Sequence, residues 1–406
     1  MDHAALCLAR AKYATNHAEF QTSAGYPHGD ASQQDYMESE LAMAGCALHI
    51  CSMGSAFPVQ AERIPLLPLL NVLAMKPIQI ANYVKFILYP FSIFATLFWL
   101  LALLIQPVHG GLTRVGGWTE NDFGWNAPQP AIKILATGKA LVDPDIVVLG
   151  DSFSITSNSW QSVVSQNTGK RIQTFGYDDS GCVDNWIRWA TEKSAAKTVI
   201  VEIVERNFVG VFGQLKVCGK QTPIPFEMPE TLYAPTRAKW PPTLDAKYLF
   251  RAMINWVRLY FNSGTTITSG KTVNVPLKKG CAKFSNRRAD RLMYYIDEDR
   301  KAGGENLLRA ISYARAIQTE VERHNKKFIF VIVPDKTSVY RSCLGQTSFS
   351  DATRKLIAAG VKTPDLQDLF ESKIDQIVDL YNPDGTHWNT SGYLLMGGKM
   401  VKMLAK

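Results

Sequence analysis

Two short motifs far apart in the chain carry side chains that could act together as nucleophile and base. The first is Gly150-Asp151-Ser152, which places a hydroxyl directly after the apolar run 146–149. The second is the polar stretch 383–389, in which His387 follows Asp384 by three positions. A carboxylate that accepts the imidazole Nδ1–H leaves Nε2 to take the proton of a serine hydroxyl. These motifs predict acyl transfer with Ser152 as nucleophile, His387 as base and Asp384 as orienting acid.

The histidine content of the chain narrows the choice of base. After residue 105 only His109, His324 and His387 remain. His109 adjoins a long apolar segment, and His324 lies in a charged stretch that is typical of a solvated helix end. His387 is therefore the predicted base. The alternative is that Asp384 and His387 only form a capped polar turn before the last helix.

The sequence around these motifs predicts strands that alternate with helices. Apolar, β-branched runs predict strands at 146–150, 171–177, 198–204 and 327–333. Helical spacing predicts helices at 160–166, 183–196, 306–325, 350–359 and 392–405, the last one capped by Asn389, Thr390 or Ser391. A short helix is expected within 131–140, and a short strand or loop at 362–369. This alternation indicates a parallel sheet covered on both faces, with Ser152 at its carboxyl edge.

An uncharged apolar segment at 86–105 is long enough to cross a membrane as a helix. Pro90 near its start is tolerable in a membrane helix, and no small-residue cleavage site follows the segment. Lys76 and Lys85 precede it, whereas the next basic residue after it is Arg114. The positive-inside rule then places the amino end in the cytoplasm and the rest of the chain outside. The alternative is a buried core helix.

The domain organisation follows from these elements. Residues 1–74 show no sustained pattern and are expected to be a disordered leader or an over-extended reading frame, with Met75 as the natural start. A cytoplasmic lead (75–85), the transmembrane helix (86–105) and a linker (106–142) come next. The catalytic domain is expected at 143–406, interrupted by an insertion at 207–300 that has several prolines, many aromatic residues and no clean period.

The two motifs, in this order, resemble those of the SGNH hydrolase superfamily. With Phe153 and Trp388 added, they look like the SGNH-like domain of the alginate O-acetyltransferase group, although that group places its Asp-x-His element before the serine. The resemblance covers about 143–406. It implies a three-layer α/β/α flavodoxin-like sandwich, the Ser152, His387 and Asp384 roles given above, and action in the periplasm.

The resemblance also implies an oxyanion hole, for which the chain offers several donors. The Ser152 backbone N–H is one, and Gly176 or Gly181 would be the glycine of the second sequence block. The third block should be Gly-x-Asn-Asp after strand 198–204, but this chain has Glu205-Arg206-Asn207 there. Asn207 could replace the usual asparagine. Further supporting roles are expected for the remaining polar and aromatic members of these blocks: Asp151, Glu205, Arg206 and Trp388.

The net charge of +8 is unevenly distributed, since residues 1–74 carry −4 and the insertion carries +8. A basic surface can favour nucleic acid, anionic lipid or an acidic polymer. The chain has no zinc finger, RNA-binding signature or dense basic arm, so no nucleic-acid partner is expected. Basic and aromatic side chains in the insertion suit an anionic sugar chain, or else form its core and solvated surface. Metal-ligand spacing is absent, and no cofactor is expected.

Four cysteines follow Met75, and disulfides between them are expected in an oxidising compartment. We expect Cys218–Cys281 to staple the insertion and Cys182–Cys343 to join two loops near the strand ends. The alternative is that these residues are buried free thiols.

Together these observations predict a single-pass inner-membrane protein whose periplasmic domain transfers an acetyl group onto a polysaccharide. A multi-pass membrane acyltransferase would deliver the acetyl donor. The alternatives are an esterase or deacetylase that uses water as acceptor, and a non-catalytic glycan-binding or scaffold domain in an export complex.

Overall fold

The computed structural model describes residues 77–135, 143–155, 160–177, 182–213, 223–226, 231–237, 241–281, 283–299, 304–345 and 351–405. It divides into two units, Met1–Ala95 and Thr96–Lys406. In chain order its strands are β1 (Ile132–Ile134), β2 (Ile146–Gly150), β3 (Ile172–Gly176), β4 (Thr198–Val204), β5 (Pro225–Phe226), β6 (Thr231–Tyr233), β7 (Ile267–Ser269), β8 (Thr272–Pro276), β9 (Arg291–Tyr295) and β10 (Lys327–Val333).

The helices are α1 (Pro77–Leu104), α2 (Gly111–Gly116), α3 (Glu120–Phe123), α4 (Trp160–Thr168), α5 (Val183–Glu192), α6 (Glu205–Phe212), α7 (Ala246–Phe261), α8 (Gly304–Arg323), α9 (Lys336–Val339), α10 (Arg341–Leu344), α11 (Ala352–Ala358), α12 (Leu366–Glu371) and α13 (Thr390–Leu404), and a 3₁₀ helix spans Ile296–Asp299. Asn389 caps α13, with its side chain accepting the Thr390 N–H at 3.0 Å, as the sequence predicts.

Helix α1 contains the predicted apolar segment. Its stretch Val84–Leu104 is long and apolar enough to cross a membrane, and among the described residues it is the only such helix. Pro90 lies inside the helix. At 28 residues α1 is longer than the apolar segment alone.

The central sheet has the strand order β10-β4-β2-β3-β5. β10, β4, β2 and β3 are parallel, and the short β5 pairs antiparallel with β3 at one edge. After β2 the chain forms β3 on one side of it and then β4 on the other. The strand order therefore reverses at the carboxyl end of β2, where open α/β sheets form a crevice that accommodates ligands.

Two apolar clusters cover the two faces of this sheet. Val148 of β2 packs in one cluster with side chains from α4, α12 and α13. Val147 packs in the other with side chains from α5, α6, α8 and α11. All five residues of β2 are buried, which explains why its sequence is a continuous apolar run rather than an alternating one. A mixed α/β fold with a parallel sheet, as predicted, follows from this arrangement.

The region between α6 and α8 is more regular than its sequence suggests. It contains the long helix α7 and the antiparallel sheet β7-β8-β9. Trp118, from the segment after α1, packs into a small apolar cluster with Leu259 of α7 and Met293 of β9. This packing places the residues just after α1 against the same small sheet.

Three local expectations are wrong. Part of 131–140 is strand β1, which pairs with β6, instead of a short helix. The segment 362–369, expected to be a short strand or loop, is loop only as far as Asp365, and helix α12 begins at Leu366, capped by the Asp365 side chain, which accepts the Asp368 N–H at 3.0 Å. Segment 207–300, expected to be irregular, contains α7 because Tyr248, Leu249 and other buried residues recur at helical spacing.

Both predicted disulfide pairings are also wrong. Cys281 is bonded to Cys343, with a Cα–Cα distance of 5.6 Å. The loop after β8 lies against α10 because Lys278 N–H donates to the Cys343 carbonyl at 2.9 Å, and this contact brings the two cysteines together. Cys182 is disulfide-bonded as well, and Cys218 lies outside the described residues.

Candidate active site

The carboxyl edge of the central sheet brings the two motifs together. β2 ends at Gly150, which is in register with Gly176 at the end of β3. A Cβ atom on Gly150 would lie 2.4 Å from the Cβ of Ser154 and 2.7 Å from Glu202 Oε2, so only glycine fits there. The chain must turn immediately after this tight position, which places Ser152 at the strand tip.

Ser152 and His387 form a hydrogen-bonded pair. The Ser152 Oγ and His387 Nε2 atoms are 2.8 Å apart, although the residues are 235 positions apart in the chain. Both side chains are half-buried. Burial, and then the positive charge of Arg206, lowers the pKa of His387 to about 4. The imidazole is therefore neutral near pH 7, as a base that accepts a serine proton must be.

Aromatic packing holds the imidazole in place. The Phe153 ring lies 4.6 Å from the His387 ring and 4.9 Å from the Trp388 ring, measured between centroids. Trp388 is fully buried and stacks on Phe370 of α12 at 4.7 Å. The residues that follow each catalytic candidate thus form one apolar support beneath the pair. This is a packing role for Trp388.

Lys336 holds the turn that carries His387. Its Nζ atom donates to three main-chain carbonyls of that turn, those of Asn382 (2.7 Å), Gly385 (3.1 Å) and Pro383 (3.2 Å). Lys336 is almost fully buried, and burial lowers the pKa of its ammonium to about 8. The Pro383 and Gly385 carbonyls would otherwise be poorly satisfied groups inside the protein, whereas the Asn382 carbonyl also accepts the Gly385 N–H at 3.2 Å. Lys336 therefore fixes the position of the turn that carries His387 relative to the end of β10.

Asp384 is buried in the same turn, but its carboxyl group has surroundings that the sequence did not predict. Among the hydrogen bonds of the described residues, none joins Asp384 to His387, and Asp384 Oδ2 has no hydrogen-bond partner. Burial, and next the negative charge of Glu120, raises the pKa of Asp384 well above its usual range. The structure thus places Asp384 beside a second carboxyl group, and the neutral form of Asp384 is favoured.

The segment after α1 supports this turn from the other side. The Asp384 carbonyl accepts the N–H groups of Leu112 (2.9 Å) and Thr113 (3.4 Å) at the start of α2. Glu120 is fully buried and accepts the Gly110 N–H at 2.8 Å and the Thr113 hydroxyl. Residues 110–120 therefore hold the main chain at Asp384.

Asp151 anchors the loop of the nucleophile. Its Oδ1 accepts the Phe153 N–H at 3.0 Å, and its Oδ2 accepts the Val204 N–H at 2.7 Å. Glu202 of β4 is fully buried, and its Oε2 accepts from the Asp151 N–H (3.1 Å) and the Ser154 hydroxyl (2.6 Å). Burial, and then the charge of Asp151, raises the pKa of Glu202 well above its usual range. Because Asp151 receives two backbone N–H groups, the negative charge belongs on Asp151 and the proton on Glu202.

Arg206 lies in the first turn of α6 and forms an ion pair with Asp335, the residue before α9. Asp335 is buried, and its N–H donates to Glu205 Oε2 at 3.0 Å. Although burial opposes it, the charge of Asp335 raises the pKa of Arg206. The Glu-Arg pair that departs from the superfamily pattern thus connects the ends of β4 and β10 and keeps a fixed positive charge near His387.

The candidate oxyanion donors are distributed as follows. Gly176 lies at the sheet edge beside Gly150, and Asn207 is half-buried in the first turn of α6. Gly181 lies outside the described residues. Ser152 is the second residue after the end of β2. These donor assignments remain predictions.

Sequence reasoning missed three buried charged residues of the site: Glu120, Glu202 and Lys336. Glu202 left a visible signal, because it is a single acid within the apolar run TVIVEIV. Lys336 follows the strand KFIFVIV by three residues, which is again the carboxyl edge of the sheet. Glu120 gave no signal, because only the tertiary contacts of residues 110–120 bring it to the site.

The family comparison agrees with this geometry. Residues 289–395 match the family model described as "SGNH hydrolase-like domain, acetyltransferase AlgX". The match includes β10, Lys336 and the turn with Asp384 and His387, whereas Ser152 lies before it. Comparison with curated proteins finds no match. The predicted resemblance is thereby confirmed for residues 289–395, which are similar to the SGNH hydrolase-like domain of the acetyltransferase AlgX.

Proposed function

We propose that this protein is a membrane-anchored O-acetyltransferase that acetylates a polysaccharide through an acyl-enzyme on Ser152. The observation that carries the proposal is the 2.8 Å hydrogen bond between Ser152 Oγ and His387 Nε2. The family match supports acetyltransferase or esterase chemistry. The strand order and the helices on both sheet faces support the three-layer flavodoxin-like sandwich of this superfamily.

The first half of the reaction forms the acyl-enzyme. Ser152 Oγ attacks the carbonyl carbon of the acetyl donor while its proton passes to His387 Nε2. Backbone N–H groups at the sheet edge stabilise the oxyanion, with Ser152 N–H and the Gly176 region as the proposed donors. The donor's leaving group departs with the proton from the imidazolium, and acetyl-Ser152 remains with His387 neutral again.

The second half transfers the acetyl group to the acceptor. A sugar hydroxyl attacks the acetyl carbonyl, gives its proton to His387 Nε2, and forms the new ester as Ser152 Oγ leaves and regains a proton. Water in place of the sugar would make the same site an esterase. Burial, and then the charge of Arg206, keeps the pKa of His387 low, so that the imidazole is neutral and can accept a proton at the start of each half-reaction.

The apolar helix α1 supports the proposed topology: amino end in the cytoplasm, a single pass through the inner membrane, and the catalytic domain in the periplasm. Activated acetyl donors are made in the cytoplasm, so a multi-pass membrane acyltransferase is the proposed partner that delivers the acetyl group.

The test uses the full-length protein and p-nitrophenyl acetate. The wild type should release p-nitrophenol and yield an acetylated Ser152 peptide in mass spectrometry, whereas Ser152→Ala and His387→Ala should do neither. Ser165→Ala is the matched control, because that hydroxyl bonds only within the α4 region, to the Lys170 carbonyl at 2.9 Å.

An oligosaccharide acceptor then separates transferase from esterase. Acetylated sugar product supports the proposed transfer, whereas acetate alone would make the protein an esterase. Equal inactivity of wild type and Ser152→Ala, with no acetyl-Ser152 trapped, would refute acyl-enzyme catalysis.

A further inference from the structure

Helix α7 exposes an unusually apolar surface. Six apolar residues, Phe250, Met253, Ile254, Val257, Tyr260 and Phe261, are each 40% or more exposed. At 100° per residue they fall within an arc of about 120° on one side of the helix. Contiguous apolar surface of this kind is rare on a soluble protein and marks an interaction site.

The opposite side of α7 is also apolar, and it packs against the end of α1. Tyr248, Leu249 and Ala252 form a buried cluster with Ala102 and Ile105, and Phe98 and Leu101 pack at its edge. Phe98, Leu101 and Ala102 belong to the last two turns of α1, a length of roughly 10 Å, and Ile105 follows its last residue. The buried side of α7 therefore lies against the carboxyl-terminal end of α1.

Basic side chains follow one edge of the exposed apolar arc. Lys247, Arg251 and Arg258 lie next to Ile254 on the helical wheel, and Lys247 and Arg258 are exposed. Trp256, 55% exposed, lies beyond the other edge of the arc. An apolar face with aromatic rings and a basic margin is the pattern of a helix that lies in the interface of an anionic membrane.

We propose that α7 is an interfacial helix that seats the catalytic domain on the membrane surface. Its apolar arc would enter the boundary between head groups and acyl chains, and Lys247 and Arg258 would meet anionic head groups. The proposal rests on the membrane anchor α1 of the proposed function, because α7 is placed at membrane level by its contacts with residues 98–105. The occupant of the surface is thus lipid.

Site-specific photocrosslinking in the full-length protein tests this placement. The photoreactive residue p-benzoylphenylalanine replaces Tyr260 on α7 (72% exposed), Phe91 on α1 (66% exposed) or Leu308 on α8 (61% exposed), one at a time. Each variant is reconstituted in vesicles of phosphatidylethanolamine and phosphatidylglycerol that contain a radiolabelled lipid. We expect lipid labelling from positions 260 and 91 and not from position 308, the matched control.

The outcomes test the interfacial helix α7 and the membrane anchor α1 separately. Labelling at position 91 without labelling at position 260 would overturn the interfacial helix and leave the anchor intact. Crosslinking of position 260 to a second copy of the chain would overturn it as well, in favour of a protein interface. Labelling at position 260 but not at position 91 would support the interfacial helix and refute the anchor.

Charge reversal gives an independent measurement. In the position-260 variant, Lys247→Glu combined with Arg258→Glu should reduce lipid labelling several-fold in anionic vesicles and leave it unchanged in neutral ones. Equal labelling of the charge variant and its parent in anionic vesicles would contradict the role of the basic margin.

Discussion

Substituting alanine for Gly110, just before α2, or for Gly111, its first residue, tests whether residues 110–120 position the turn that carries His387. A Cβ on Gly110 would lie 2.2 Å from the Asp384 carbonyl oxygen and 2.4 Å from the Asp384 Cβ, whereas a Cβ on Gly111 meets nothing within 4 Å. Ordinary contacts begin near 3.4 Å. Gly110→Ala must therefore move the turn by about 1 Å, and a displacement of that size lowers the rate about 10²-fold.

Gly110→Ala should also lower stability by ~1–3 kcal/mol, as overpacking of a filled site does. Gly111→Ala should retain wild-type kcat and be neutral or slightly stabilising, because it reduces the entropy of the unfolded chain. The assay is p-nitrophenyl acetate turnover, with kcat and KM measured below the Tm of each variant. A Gly110→Ala protein that is folded and has wild-type kcat would refute the claim that residues 110–120 position the active site.

Further predictions follow from the same site. Lys336→Met should lower kcat at least tenfold with little change in KM, since the turn that carries His387 loses three hydrogen bonds. Lys326→Met is the control: it loses hydrogen bonds to the Ala190 and Ser194 carbonyls (2.6 Å each) and should affect only Tm. Asp384→Asn should retain kcat within about tenfold because the neutral carboxyl makes no hydrogen bond to His387; a loss near 10⁴-fold, typical of a triad aspartate, would show that Asp384 turns to His387 during catalysis. Because the pKa of His387 is lowered from 6.5 to about 4, kcat/KM should be constant from pH 7 to about 5 and fall as the pH drops through 4. The same shift should lower folding stability as the pH falls from 6.5 towards 4, since the unfolded chain takes up the proton first. Replacing Cys281 and Cys343 together by serine should lower the free energy of unfolding by about 4 kcal/mol, because the disulfide closes a loop of 62 residues. The Tm should fall, and kcat measured well below the Tm should not change.

The elements with strong local patterns were predictable from sequence. β2, β4 and β10 are dominated by consecutive apolar, mostly β-branched residues, a pattern that is typical of buried parallel strands. The pairing of Ser152 with His387 was also predictable, because Ser152 follows a buried strand and elimination among three histidines left His387 as the candidate base.

The features that could not be predicted from sequence depend on contacts between segments that are distant in the chain. The Cys281–Cys343 bond is set by the approach of the β8 loop to α10, and four cysteines permit three pairings that spacing cannot rank. The environment of Asp384 depends on Glu120, which reaches the site only through the fold of residues 110–120. A local motif specifies which residues could react, whereas burial and distant charges decide their protonation.

The hydrogen bond from Leu112 N–H to the Asp384 carbonyl joins two segments that the ribosome makes at very different times. Ribosomes add about 5–20 residues per second, so the α2 segment emerges roughly 15–50 s before its partner turn exists. Until then residues 110–120 have no turn to hold, and Ser152 has no base. We therefore expect a nascent or prematurely terminated chain to be inert even when its sheet is largely formed. On the proposed mechanism, Ser152 can react only after the segment that carries His387 has been made and has packed against the sheet edge.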